Sequence, residues 1–421
     1  MSESVIKMVR SRWRRVSQGD VWSVMPLLFI QFCTGAWILT QMSFFPIYLE
    51  EELRYAPMAI AAVIAIGQAS GLVAALLGGG LTDAWGSKRV LVLGLLGSMI
   101  ASLVFQTQLP LLVAALWGLA GVAASLQTLG GSSYLTRMAA PQRLGLVSAL
   151  FALSLTLGGA LGSPLAGRLL DTAGFRLYGL VGLAILAITA LWAIVMLPVQ
   201  APGGHEQQRS QANSSMLALT RRSLVRLLIG LRYLPTVYYG LSSVMIPLMI
   251  NQLAGNKSTV AIYSTISLVV ASAAQLLAGR AADHFGHRWP TLIGYAALSF
   301  SALGLALSAG NLWGVFLFGI LGNAAAWALA TLFFCLISDA IPRAEHGRAF
   351  GLMHATWSIA MISGAVLGGA LTRFSVGLPF LVAGLLNALS IVLALAFFHR
   401  IGRQDAPIHA AAVSELGTSA D

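Results

Sequence analysis

Two aspartates, each followed by a glycine and a basic residue, recur in this chain at a fixed distance. The stretch from Gly79 to Arg89 reads GGLTDAWGSKR and the stretch from Gly279 to Trp289 reads GRAADHFGHRW, so that Asp83 and Asp283 stand 200 residues apart, as do Gly86 and Gly286. An aspartate at the end of an apolar segment can pair with a neighbouring cation, Lys88 or Arg89 in the first copy and Arg288 in the second. It can also face the positive N-terminus of a helix. Glycines such as Gly79 allow the tight turn and the close helix approach that such a pairing needs. This is the chemistry of reversible electrostatic contacts. No nucleotide-cradling loop, metal-ligand cluster or nucleophile-base pair stands out, so catalytic residues, metal ligands and cofactors are all expected to be none, and the chain is read as not an enzyme.

Ionisable groups inside apolar segments mark ion coupling or recognition, and here they are few. Glu50, Glu51 and Glu52 end the first apolar segment and Asp339 ends the tenth, while no Asp or Glu lies well inside any segment. His354, about two turns into the eleventh segment, is the candidate proton carrier, a hydrogen-bonded structural histidine being the alternative. Arg232 aligns with Gln31 through the repeat offset. It either faces a cavity or snorkels to the membrane surface. Gln31, Thr34 and Gln41 share one face of the first segment; Gln127 lies in the fourth, Tyr239 in the seventh, Asn323 and Trp327 in the tenth, and Trp357 beside His354 in the eleventh. Aromatic rings beside isolated amides suit an amphipathic organic molecule, and each polar residue can equally be interhelical glue. With Arg232 in the cavity and no carboxylates, anionic, zwitterionic or neutral substrates are favoured over lipophilic cations.

The segments that must position these residues follow from composition. With 57% hydrophobic and 9% charged residues, against about 25% charged in a soluble protein, the chain belongs in a bilayer. Twelve apolar stretches can be counted, each near the roughly 20 residues a helix needs to cross the hydrocarbon, and the alternation of a barrel is missing. Basic residues divide 20 to 5 between the two sides, which places both termini in the cytoplasm. The net charge of +11 therefore needs no nucleic acid to explain it. Arg10 to Arg15 leads into an apolar run too long for a cleavable signal, so the first helix is expected to be its own insertion signal. Cys33 and Cys335 lie mid-span and are read as small apolar residues.

A polar interruption near 200–215 has the composition of a linker. The expected organisation is a basic N-terminus over 1–20, a six-helix bundle over 21–199, a cytoplasmic linker over 200–225, a second six-helix bundle over 226–400 and a tail over 401–421. Leu217, Leu224, Leu228 and Leu231 share one helical face just after the linker. They mark either a basic amphipathic helix on the membrane surface or the start of the seventh span. The repeat extends to Pro46 and Pro247 near the ends of the first and seventh segments. Duplicated halves meeting at a shared interface are a way to place a site near the bilayer midplane.

On these residues the chain resembles the major facilitator superfamily over essentially its whole length. The family's loop, G-x-x-x-D-R-x-G-R-R, is matched by Gly79, Asp83, Gly86, Lys88 and Arg89, with Ala84 and Ser87 at two usually basic positions; the second copy is also partial. The resemblance implies an all-α polytopic membrane protein of twelve transmembrane helices in two pseudo-symmetric six-helix bundles. It further implies that Asp83 is a cytoplasmic latch broken as the halves rock. Gly158, Gly162, Pro164 and Gly167 resemble the family's antiporter motif, with Ser163 inserted before the proline; close helix packing is a sufficient alternative. The family's antiporter arginine is absent, because Leu112 to Gly131 carries no charge. The implied function is a secondary transporter, an exporter of a small organic or amphipathic solute by rocker-switch alternating access. The alternatives are facilitated or proton-linked uptake of a metabolite and a non-transporting receptor or assembly protein. The expected partners are a small-molecule substrate, a proton and the lipid bilayer, for a monomer in the plasma membrane, the inner membrane of a bacterium.

Overall fold

The computed structural model describes residues 24–138, 144–199, 219–342 and 345–417, and among them the side chains of 78–80, 83, 144–145, 346–347 and 403–417 lie outside the description. The described residues form helices α1 (Met25–Glu51), α2 (Pro57–Trp85), α3 (Ser87–Ala101, continued as a 3-10 turn over Ser102–Gln106), α4 (Pro110–Met138), α5 (Leu144–Met196), α6 (Ser223–Ala254), α7 (Lys257–Phe285), α8 (Arg288–Ser308), α9 (Leu312–Ala340), α10 (His346–Leu371) and α11 (Leu378–Gly417). Among the described residues eleven helices are long and apolar enough to cross a membrane. One of them, α5, runs for 53 residues, about 80 Å at 1.5 Å per residue, where the hydrocarbon core is only about 30 Å thick. It breaks at Gly174, whose φ of 72° and ψ of −179° are non-helical. Glycine adopts that backbone without a side-chain clash. The break makes α5 two spans, and the total is twelve.

Local signals fix most of the ends. Pro57 and Pro110 open α2 and α4, where a missing N–H costs no helical hydrogen bond. The side chain of Asn311 accepts from the N–H groups of Trp313 and Gly314 and caps α9. Gly86 and Gly286, with φ of 85° and 74°, separate α2 from α3 and α7 from α8. The two glycines of the repeated loop thus do the same backbone work. Leu217 lies outside the described residues, and α6 already begins at Ser223, so Leu224, Leu228 and Leu231 belong to the buried face of the seventh span itself.

Contacts group the chain into two compact units. The first holds 1–205, 243–269 and 368–370, and the second holds 206–242, 270–367 and 371–421. In the first unit α1 packs along α5, and α4 packs against both α2 and α3. In lipid the hydrophobic effect gives no drive for helices to associate, so packing and hydrogen bonds must supply it. Small residues make that packing close: a Cβ on Gly158 would collide with the carbonyl oxygen of Phe32, and one on Gly162 would stand 2.9 Å from that of Ala36. Pro164 cannot donate to Ala160, and Thr265 Oγ1 donates to that freed carbonyl at 3.0 Å. Ser163, the residue inserted before the proline, is fully buried and donates to Gly159 O at 2.8 Å. An aromatic cluster of Trp37, Phe45, Tyr48, Phe105, Phe175 and Tyr178 fills one end of the unit.

The second unit repeats the same device. At the crossing of α6 and α10 a Cβ on Gly240 would stand 2.5 Å from Met361 O, and one on Gly364 would collide with Val237 O. Hydroxyls tie the helices together, Tyr233 donating to Ser363 Oγ at 2.8 Å and Tyr295 to Leu231 O at 2.9 Å. Leucines such as Leu111, Leu165 and Leu307 are exposed on the outside. In water they would be a liability; against lipid they are the expected surface.

Candidate functional site

A cavity of about 240 Å³ opens in the second unit, just below the roughly 300–1,000 Å³ of common small-molecule sites. Its walls are Arg232, Thr236 and Tyr239 of α6, Gln275 of α7, Tyr295 of α8, Trp327 and Phe333 of α9, and Trp357 of α10. Arg232 is the only formal charge among these lining residues. Its Nε is buried with no hydrogen-bond partner among the described residues, and the guanidinium sits 5.2 Å from the centroid of the Phe333 ring. A cation over an aromatic face gains about 0.5–2 kcal/mol, whereas withdrawing a charge from water costs several kcal/mol. Protein contacts therefore leave the arginine under-compensated.

The neighbouring polar groups point the same way. Tyr295 already donates to Leu231 O, Thr236 Oγ1 donates to Arg232 O at 2.7 Å, and Tyr239 is hydrogen-bonded to Trp327. None of these commits the guanidinium. The cavity thus combines one unanswered cation, flat aromatic walls and the amide of Gln275.

The sequence-derived cavity residues separate by unit. Arg232, Tyr239, Trp327 and Trp357 line this one cavity. His354 is exposed one turn before Trp357 and stacks on it at 5.8 Å, outside the lining; Asn323 lies one turn before Trp327, also outside it. In the first unit, Gln127 is buried and its Nε2 donates to Gly94 O at 3.0 Å and Ser98 Oγ at 2.5 Å. Its amide joins α4 to α3. Thr34 and Gln41 are buried, with Gln41 Nε2 unpartnered among the described residues, and Gln31 is half-buried.

The repeated loops differ in their contacts. Side chains of Gly79 and Asp83 fall outside the description. Lys88 Nζ donates to Ile194 O at 2.7 Å and Leu197 O at 2.6 Å, placing its charge at the negative C-terminal end of α5; Arg89 is exposed. In the second copy Asp283 is exposed, Arg288 lies 5.8 Å from the Trp289 ring centroid, and the side-chain contact to another helix belongs to His287, whose Nδ1 is 2.6 Å from Asp339 Oδ2. Gly158 and Gly162 serve the α1–α5 crossing already described, and Gly167 lets α5 approach α7, its would-be Cβ 2.6 Å from that of Ala261.

Sequence reasoning missed a polar cluster within the first unit. Glu51 bonds with Lys257 Nζ at 2.7 Å and accepts from Asn251 Nδ2 at 2.6 Å, while Glu50 accepts from Gln252 Nε2 at 2.6 Å. Asp171 accepts from the N–H groups of Lys257 and Ser258 at 2.8 and 2.9 Å and from Ser258 Oγ at 2.5 Å. It caps α7 from another helix. Acidic residues at the ends of α1 and at the α5 break were the available signal, but their partners lie 86 or more residues away along the chain.

Duplicated helices, paired glycine loops and a cavity with polar and aromatic walls define an integral, multi-pass membrane protein built on a transporter fold. The chain belongs to the Major Facilitator Superfamily, whose family model matches residues 27–253 and again 236–416. It is 31% identical to the class C tetracycline resistance protein of Escherichia coli over 195 residues, 44% of this chain and 47% of that protein. To the class H tetracycline resistance protein of Pasteurella multocida it is 26% identical over 190 residues, 41% of this chain and 44% of the other. The chain thus spans about half the length of these relatives. A solved peptide transporter in complex with sulfate superposes with a TM-score of 0.76 at 15% identity, covering 94% of this chain and 99% of the other. The nucleoside transporter NupG does so at 0.71 and 16%, covering 89% and 98%. These structures support the fold alone.

Proposed function

We propose that the protein is a secondary transporter that exports a small organic or amphipathic solute by alternating access, with the cavity around Arg232 as part of the solute's path. The family match over both halves of the chain, 27–253 and 236–416, carries the reading. The tetracycline resistance proteins among its relatives favour export. In this proposal the halves 21–199 and 226–400 move against each other, both termini lie in the cytoplasm of a bacterial inner-membrane monomer, and Gly79, Asp83, Gly86, Lys88, Arg89, Asp283, Gly286 and Arg288 form the conformational latch.

The polar cluster of Glu51, Asn251, Lys257 and Asp171 would part when the path opens at that end of the helices. His354, exposed beside Trp357, is the group available to carry a proton. One observation favours the second reading, uptake or uncoupled movement of a metabolite: the stretch Leu112–Gly131 in α4 carries no charge, so the basic group expected of a proton and drug antiporter is lacking there.

The test is flux of a solute panel in liposomes holding the purified full chain, with imposed pH gradients of either sign. Movement that follows a gradient of solute or protons is expected. Binding without flux under every gradient would overturn transport and favour a receptor or assembly protein.

A further inference from the structure

We infer that the cavity of the second unit is an anion subsite that takes an organic acid, with the acid group on Arg232 and a flat apolar body between the aromatic walls. The inference deepens the transport reading and rests on it for the word substrate, but the binding chemistry stands by itself.

Three observations carry it. First, the guanidinium is aimed into a cavity whose lining includes no carboxylate, and its Nε is buried without a partner. A buried arginine is retained at such cost where something answers its charge, and its planar fork matches a carboxylate or phosphate through two parallel hydrogen bonds. Second, the nearby hydroxyls make other contacts, Tyr295 donating to Leu231 O, Thr236 to Arg232 O and Tyr239 bonding with Trp327, and among the described residues none accepts a hydrogen bond from the guanidinium. Third, the rest of the wall is Trp327, Trp357, Phe333 and Tyr239, which offers flat apolar faces to a ring rather than a shell for a hydrated inorganic ion. A cationic solute meets like charge here with no acidic residue to offset it.

The repeat sharpens the argument. Arg232 stands where the first half has Gln31, so the helix can be built with a neutral amide at this register. The charge is a property of the site, beyond what the fold requires.

The experiment measures binding of 1-naphthoate, its neutral amide 1-naphthamide and the cation 1-naphthylmethylammonium to the detergent-purified full chain by titration calorimetry. Naphthoate is expected to bind at least tenfold more tightly than the amide, and the cation most weakly. Arg232→Gln should remove that tenfold advantage of the acid over the amide, and Arg232→Lys should restore part of it as a point charge without the fork. Equal affinity for the three ligands, or unaltered naphthoate binding in a monodisperse R232Q protein, overturns the inference. Should R232Q fail to fold, the wild-type ranking of acid, amide and cation decides alone.

An anionic lipid headgroup shares the chemistry, so the titration is repeated in nanodiscs with and without phosphatidylglycerol. Arg232-dependent displacement of naphthoate by that lipid would assign the site to a headgroup and overturn the solute form of the proposal. Acid binding that survives while liposome flux is absent would sink the transport reading and leave the subsite standing, so the two failures are distinguishable.

Discussion

At the same position of the two repeated loops the chain makes the same link with different chemistry. Ser87, at the start of α3, shares a 2.7 Å hydrogen bond with Ser133 of α4, whereas His287, 200 residues later, holds Asp339 of α9 at 2.6 Å. The serine pair includes a fully buried member; the histidine–aspartate pair is about one-third exposed on each side. The cavity arginine and its counterpart Gln31 differ in the same sense. At these two registers the first copy carries neutral groups, Ser87 and Gln31, where the second carries His287 and the charged Arg232, whose Nε has no partner among the described residues. A duplicated scaffold has thus kept its joints and changed what they carry, which is how one fold can move to a new cargo without a new architecture.

The shared part of this comparison should break first. Gly158→Leu in the first unit and Gly364→Leu in the second each push a side chain into a carbonyl of the crossing helix, and overpacking costs about 1–3 kcal/mol. Both are expected to lower the apparent melting temperature and the monodisperse yield. Gly279→Ala, whose added Cβ meets nothing within 4 Å, should leave both unchanged. A single sensitive crossing would deny that the two units use the same joint.

Next in size is the asymmetry at the cavity. Arg232→Gln makes the second half match the first and should cost at least tenfold in affinity for an aromatic acid. Adding Gln31→Arg to that variant should not restore it, because Trp327, Trp357 and Phe333 line the cavity with Arg232. Recovery by the double variant would place acid recognition in the first half instead.

The loops give smaller effects, in an order that charge alone would reverse. Ser87→Ala strands the Ser133 hydroxyl and should cost about 0.5–1.5 kcal/mol in denaturation. His287→Gln removes a partly exposed contact with Asp339 and should cost less, about 0–1 kcal/mol. A larger loss from His287→Gln than from Ser87→Ala would show that the exposed pair, and not the buried one, holds its loop.

Much of the fold was legible because it rests on local properties. Apolar length marked the spans, and Gly86 and Gly286 marked the turns between α2 and α3 and between α7 and α8. Gly158 and Gly162 could be read as packing residues because few side chains permit such a crossing. Side-chain partners were a different matter. Gln127 was read as a cavity amide or as interhelical glue, and only the structure shows that its donors meet Gly94 and Ser98 on the adjacent helix. Asp171 drew no attention, because a single exposed acid gains meaning only from the distant N–H groups of Lys257 and Ser258. Lys88 was read as a cation that Asp83 can pair with, and its nitrogen also reaches two backbone carbonyls at the end of α5. Carbonyls leave no trace in a sequence.

The sequence by itself determined that this chain is a duplicated set of membrane helices with a glycine and aspartate loop in each half, because hydropathy, span length and repeat register are carried by near neighbours along the chain. Only the tertiary structure decided which polar groups answer one another and which stay free. Arg232 could equally have snorkelled to the membrane surface. Four helices besides its own, folded around it, gave it an aromatic cavity and no counter-charge among the lining residues. Pairing inside a bilayer is settled by which side chains meet within a few ångströms, and that distance is a property of the packed helices.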